Sequence, residues 1–330
     1  MTERTHRQGT RRGNYFVEDK PLGFFSSGCT LLDCVLGGGY ALGRVVNIVG
    51  DKSTGKTLLA IEATVNFLKK YEGTIWYHEA ESAFDKGYAH ALGMPIDDIN
   101  FIEDANTVEK LYDNVNAAAD VLAGNDTPGL YIIDSLDALT DAYELDRDFG
   151  KDTMVGKKAI KMSEFFRRIN DKISQLKMTF VVISQVRDNI GVMWGKKHKR
   201  SGGKSLDFYA SQVIWLSDLG KIKHTKNKIE RTTGVKIKVT CDKNKVSLPF
   251  RSCEFEIQFG YGIDDVSASL AWLKTIGKLS DVDVRERDIV SVAEEVKRDK
   301  THRLRRTLPR VVKQYWKEIE TSFLPDYTKY

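Results

Sequence analysis

Residues 50 to 57 read Gly50-Asp51-Lys52-Ser53-Thr54-Gly55-Lys56-Thr57, which fits the pattern G-x-x-x-x-G-K-[ST] at every fixed position. This octet constrains the fold because it works only between a strand and a helix, with an anion held in the turn. Its glycines let the backbone bend so that successive N–H groups point inward at phosphates. Lys56 supplies a point charge for the β- and γ-phosphates, and the Thr57 hydroxyl is placed to hold Mg²⁺. The flanks agree. Arg44 to Val49 reads as a short buried strand and Leu58 to Tyr71 as an amphipathic helix, whose positive end adds to the anion site. ATP with Mg²⁺ is the expected ligand.

Beyond the octet, elements alternate as in a parallel sheet covered by helices, so the expected class is α/β. Strands are expected at 74–78, 130–134 and 179–185, and helices at 83–92, 108–122 and 155–176. From Gln212 the pattern becomes strand-rich, at 213–216, 234–241 and 253–259. The last 65 or so residues read as helical and charged. Three parts follow: a basic segment over 1–25, an ATPase core over 26–263 with a mostly parallel central sheet, and a small helical C-terminal domain over 264–330.

The 330 residues are 41% hydrophobic and carry a net charge of +5. No apolar run approaches the ~20 residues that span a bilayer, and the N-terminus has positive charge without the apolar stretch of a secretory signal. Cys29, Cys34, Cys241 and Cys253 fit no zinc spacing, and a reducing, cytoplasmic setting is the default expectation. The charge is unevenly spread. Trp194 to Lys204 holds five lysines and arginines without an acid, and 301–317 holds six. The first of these joins a Trp, glycines and cations, a composition suited to base stacking and phosphate binding. The second spreads its cations over a helix rather than along one stripe.

Three side chains convert a nucleotide site into a hydrolase. Asp134 closes an apolar strand, where a carboxylate reaches the Mg²⁺ shell; it could instead cap a following helix. Glu81 lies just past the second strand, beside the octet, and can deprotonate an attacking water; Glu79 is the alternative. Gln185 ends the fourth strand at the carboxyl edge of the sheet, where ligands of such folds bind, and its amide can contact the γ-phosphate.

These features in this order resemble the RecA family of recombinases over about residues 26 to 280. The likeness is carried by Ser27-Gly28-Cys29 to Gly39, the octet, Glu79 to Asp85, Ile133 to Thr140, Gln185 to Gly195, Gly202-Gly203, Phe208 to Ser211, and Lys243-Asn244-Lys245 ahead of Pro249-Phe250. The resemblance implies roles. Glu81 is the catalytic glutamate, Asp85 and Tyr88 contact adenine, and Gln185 senses the γ-phosphate and orders the loop after it. That loop, about 186 to 203, is the second DNA-binding loop; Arg187, Met193, Trp194, Lys196, Lys197, Lys199, Arg200, Gly202 and Gly203 belong to it. About 145 to 156 is the first, with Met154, and Ser163 and Arg167 on the next helix touch the DNA backbone. Lys243 and Lys245 reach the ATP of a neighbouring subunit. The chain departs from the bacterial form in its short N-terminal segment, in Trp194 standing where Phe is usual, and in the extra lysines of the second loop. Its compactness is more like a phage-encoded member.

The expected function is thus an ATP-dependent DNA recombinase: a DNA-stimulated ATPase that forms a helical homo-oligomer on single-stranded DNA and pairs it with homologous double-stranded DNA. A RecA-fold hexameric motor explains the octet, Glu81 and Asp134 but not Met193 or the lysine pair. An ATP-switched accessory without strand exchange is the third reading.

Overall fold

A computed structural model describes residues 23–103, 105–143, 157–188, 198–200 and 203–327. Around the octet, strand β3 (Val45–Gly50) is buried throughout and helix α2 (Lys56–Lys70) follows it. Ahead of them lie β1 (Phe24–Phe25), α1 (Thr30–Leu36) and β2 (Tyr40–Ala41), with β1 and β2 paired as a separate small sheet. Then come β4 (Thr74–Glu79), α3 (Lys86–Ala91), β5 (Ile99–Ile102), α4 (Val108–Ala123), β6 (Gly129–Asp134), α5 (Lys157–Gln175), β7 (Met178–Asp188), β8 (His198–Arg200), α6 (Gly203–Tyr209) and β9 (Gln212–Lys226). The chain continues through β10 (Ile229–Asn244), β11 (Arg251–Gln258), β12 (Gly262–Ile263), α7 (Asp265–Thr275), α8 (Ile289–Arg298) and α9 (Leu304–Ser322).

The large sheet runs in the order β12-β11-β10-β9-β3-β7-β6-β4-β5. Its half from β9 to β5 is parallel, and β9 to β12 are antiparallel. β3 lies between β7 and β9, so a loop leaving its end sits at the middle of the carboxyl edge. The central strands are buried on both sides, the usual condition of parallel strands, because an apolar cluster covers each face. One contains α1, α2 and α7 to α9; the other contains α4, α5 and α6. The C-terminal helices add Leu270, Leu273, Val296, Leu304, Leu308 and Val312 to the first cluster. Two polar links reinforce that union: Asp265 accepts from the Thr30 N–H at 2.6 Å and its hydroxyl at 2.8 Å, and Arg251 pairs with Glu320 at 2.5 Å.

Strand β9 differs from the sequence reading, which ends it at Leu216. It pairs with β3 only from Gln212 to Leu216, opposite Val46 to Gly50. Past Leu216 it continues beyond the carboxyl edge as a hairpin arm with β10. The ten residues Ser217–Lys226 amount to about 33 Å of strand. Asn227 and Lys228, with φ of 49° and 63°, form its two-residue turn, and positive φ at both positions is the mark of a type I′ hairpin. The loop after β7 has a paired stem as well, since β8 runs antiparallel to β7 with Arg187 opposite Lys199.

Helix α9 also differs. Arg306, Arg310, Lys313 and Lys317 are spaced by four, three and four residues, which places them on one helical face. They form a stripe opposite the buried Leu304, Leu308, Val311 and Val312. Arg303 and Arg305 are turned elsewhere, to Asp283 and to the carbonyls of Lys297 and Asp299.

Candidate active site

The octet forms a compact turn at the start of α2. Ser53 and Gly55 have φ of 61° and 86°, a left-handed pair that turns the chain into the helix. The positive φ of Gly55 favours glycine there, and a Cβ would also press on the Ile257 Cδ1 of β11 at 2.3 Å. Thr54 is buried, and its hydroxyl donates to Asp51 O at 2.8 Å. Lys56 Nζ donates to the same carbonyl at 2.7 Å. Burial lowers the pKa of Lys56, while the carboxylates of Asp134, Glu81 and Asp51 oppose that shift.

Asp134 ends β6, in register with Glu79 of the neighbouring β4. Its Oδ2 accepts from the Thr57 hydroxyl at 2.7 Å and from the Tyr77 phenol at 2.9 Å. Burial raises its pKa, the Thr57 and Tyr77 hydrogen bonds counteract this, Glu81 adds to the rise and Lys56 reduces it. A hydroxyl and a carboxylate in contact at the head of a phosphate-binding turn suit Mg²⁺, which takes one or two protein oxygens and leaves the rest of its shell to water and phosphate. Among the described residues, no group of three or more His, Cys, Asp or Glu side chains is arranged to hold a metal ion, so no all-protein cage competes with that arrangement.

Glu81 is exposed at the same edge. Its Oε1 accepts from the Gln185 amide at 3.1 Å and from the Ser135 hydroxyl. Gln185 is in register with Gly50 across β3 and β7, and its backbone N–H donates to Asp137 Oδ2 at 2.7 Å. Glu79 has another task. It is buried, and its Oε1 accepts from the N–H groups of Glu81 at 2.9 Å and Ala83 at 3.2 Å, so it shapes the loop that presents Glu81. Asp85 caps α3 through the Tyr88 N–H at 2.8 Å, and Tyr88 is exposed.

A family profile for the RecA N-terminal domain matches residues 14–264. The chain belongs to the RecA family. Protein RecA of Limosilactobacillus reuteri is 37% identical over 246 residues, which are 74% of this chain and 65% of that protein. Protein RecA of Bacteroides thetaiotaomicron is 36% identical over 258 residues, 76% and 75% of the two chains. The DNA repair protein recA homolog 1, chloroplastic, of Arabidopsis thaliana is 35% identical over 246 residues, 74% and 54%. The matched stretch therefore spans less than two thirds of the first and third of these relatives.

The remaining candidate residues of this RecA-family chain divide between the two edges of the sheet. Lys243 faces Val213 at the amino end of β9, and the Lys245 N–H donates to Ser211 O at 2.8 Å. The level of the octet, marked by Leu216, is three to five residues further along, roughly 10–17 Å of strand. Both lysine side chains donate to Phe208 O at 3.0 Å, at the C-terminus of α6, where cations are favoured. Phe208 itself is 69% exposed beside them. The structure thus assembles Lys56, Thr57, Glu81, Asp134 and Gln185 at one edge and puts Lys243 and Lys245 at the other.

Ser163 and Arg167 lie on the exposed face of α5. Arg187 is on β7, Lys199 and Arg200 are on β8, and Gly203 begins α6. Met154, Met193, Trp194, Lys196, Lys197 and Gly202 lie outside the described residues. Sequence reasoning missed Ser135 and Asp137, which hold Glu81 and Gln185, and the turn between β11 and β12. That turn carries exposed Phe259 and Tyr261. It lies against α2, since a Cβ on Gly262 would meet Glu62 Oε1 at 2.7 Å. The Gly-x-Gly at 260–262 was its one local signal. Among the described residues, no helix is long and apolar enough to cross a membrane.

Proposed function

We propose that this chain is an ATP-dependent DNA recombinase that assembles head to tail into a helical filament on single-stranded DNA and exchanges strands with a homologous duplex, in the cytoplasm. The observation that carries the reading is the division of the site. Phosphate-binding and water-activating groups stand at the carboxyl edge, and Lys243 and Lys245 at the amino edge, too far along β9 to serve their own octet. A head-to-tail interface brings unlike surfaces together and propagates as an open helix unless its rotation closes into a ring. Such an interface would set the lysine edge of one subunit over the nucleotide of the next.

Within that assembly each residue has a defined task. The octet backbone and Lys56 bind the β- and γ-phosphates, with the adenine beside Asp85 and Tyr88. Thr57 and Asp134 would hold Mg²⁺, which would neutralise phosphate charge. Glu81 accepts the proton of the attacking water. Gln185 gives up its bond to Glu81 for the γ-phosphate and moves β7, and with it the stem that carries the second DNA loop. Lys243 and Lys245 of the neighbouring subunit stabilise charge as the γ-phosphate leaves, the part an arginine finger plays elsewhere.

Electron microscopy of the protein with single-stranded DNA and a slowly hydrolysed ATP analogue tests the assembly. Helical filaments are expected. Closed rings would replace the recombinase with a motor, and filaments without strand exchange would leave an accessory.

A further inference from the structure

The Tyr77 side chain is fully buried, yet its polar end meets a single group. It lies on β4 opposite Ile132 of β6, two residues before Glu79. Its phenol donates to Asp134 Oδ2 at 2.9 Å, the oxygen that also takes the Thr57 hydroxyl. Asp134 is itself only 7% exposed. Both donors engage one oxygen, so among the described residues Oδ1 has no protein donor and is left for a water of the metal shell. A carboxylate held at one oxygen by two groups on different elements resists rotation about its own side-chain bond. The Tyr77 ring does a second thing. It packs against Phe84 at 4.6 Å and Phe101 at 5.7 Å between centroids, and Phe84 and Phe101 are 5.6 Å apart. Phe84 belongs to the same short loop as Glu81 and Asp85. Packing alone would be served by phenylalanine, as at both of its neighbours. A buried hydroxyl is costly unless it is bonded, so the phenol is explained by the acid it holds.

We propose that Tyr77 is a positioning residue for the nucleotide site: its hydroxyl fixes the Asp134 carboxylate for Mg²⁺, and its ring seats Phe84 and hence the loop of Glu81. This rests on the Mg²⁺–ATP reading above. The two halves separate by substitution. Tyr77→Phe keeps the ring and removes the donor. Phe84→Leu keeps the donor and loosens the ring contact.

The test is binding of a fluorescent ATP analogue across a Mg²⁺ titration, with an EDTA control and circular dichroism to show that each variant is folded. Tyr77→Phe should raise the half-saturating Mg²⁺ concentration about tenfold, the loss expected for one hydrogen bond to a charged group, and leave binding in EDTA unchanged. Phe84→Leu should slow hydrolysis while its Mg²⁺ curve stays with the wild type. A Tyr77→Phe curve within twofold of wild type overturns the proposal. So does an equal loss of binding with and without Mg²⁺, or a Mg²⁺ shift in Phe84→Leu as large as that in Tyr77→Phe. A wild-type protein that ignores Mg²⁺ altogether would instead sink the Mg²⁺–ATP reading itself.

Discussion

A general base must meet water and still be held in place. Glu81 satisfies both conditions, being exposed while Ser135 and Gln185 bond its carboxylate and Glu79 holds its backbone. Glu81→Gln should therefore keep ATP binding and lose about 10²–10⁴ in hydrolysis rate; a rate near wild type would remove it from the role. Glu79→Ala should also slow hydrolysis, through the loop, and Glu79→Gln, which keeps an acceptor, should recover most of it. The sequence showed Lys56, Thr57, Glu81, Asp134 and Gln185 because each sits at a fixed place relative to a strand end or the octet. It did not show Ser135, Asp137 or Tyr77, whose partners lie 54, 48 and 57 residues away. A second prediction concerns Asp265, whose carboxyl is pushed up to about 6, first by burial, against its bonds from Thr30 and with Asp33 and Lys313 nearby. An acid with a raised native pKa favours the folded state below its unfolded value, near 3.8, and that contribution is lost as pH rises through 6. Asp265→Asn can keep both Thr30 bonds, so its stability should fall less than that of wild type between about pH 4 and 6. Parallel denaturation curves over that window would contradict it.

The elements legible in the sequence were those that bury apolar side chains, on both faces in the central strands and on one face in the helices. β3, β4, β6 and β7 and helices α2, α4 and α5 lie within a few residues of their expected bounds, because continuous apolar runs mark the strands and helical apolar periodicity marks the helices. The outer arm of β9 and β10 was missed for the complementary reason. Most of its residues past Leu216 are exposed on both faces, so no alternation survives, and its turn is Asn-Lys rather than a glycine pair. The stripe on α9 is hidden in the sequence because Arg303 and Arg305 precede its four cations, and their own partners draw these two off the stripe. Cutting away α9 would also remove Leu304, Leu308 and Val312 from the core, where even one Leu→Ala costs about 2–5 kcal/mol. The better probe is Arg306→Gln, Arg310→Gln and Lys317→Gln together. We expect lower duplex affinity with single-stranded binding and thermal stability unchanged; equal duplex binding would make the stripe a solvated face. We propose that Lys196, Lys197, Lys199 and Arg200 of the loop after β7, with Lys204 at the start of α6, contact phosphates. Replacing any one with Gln should lower the slope of log affinity against log salt by about 0.7 for single strands. An unchanged slope would remove that residue from the interface.

At the scale of the whole molecule, the fold places the octet with Glu81, Asp134 and Gln185 at one end of its central sheet and Lys243 with Lys245 at the other, and we propose that the two sets meet across a subunit boundary. The order of motifs told of the family, but sequence spacing alone could not show that β10 returns Lys243 to the amino end of β9, with Lys245 just beyond it, away from their own octet; the register of β3, β9 and β10 shows it. It follows that ATPase activity per subunit should rise steeply with protein concentration and with single-stranded DNA. The most direct test mixes two defective proteins. One carries Glu81→Gln and keeps its lysines; the other carries Lys243→Ala with Lys245→Ala and keeps Glu81. Each should be nearly inactive alone. In an equimolar mixture on single-stranded DNA, a subunit with Glu81 meets a lysine-bearing neighbour at about one interface in four, if a head-to-tail filament fills at random. The mixture should therefore regain about a quarter of the wild-type rate. A mixture as inactive as its components, or a lysine variant that keeps full DNA-stimulated activity alone, would contradict a site completed between subunits.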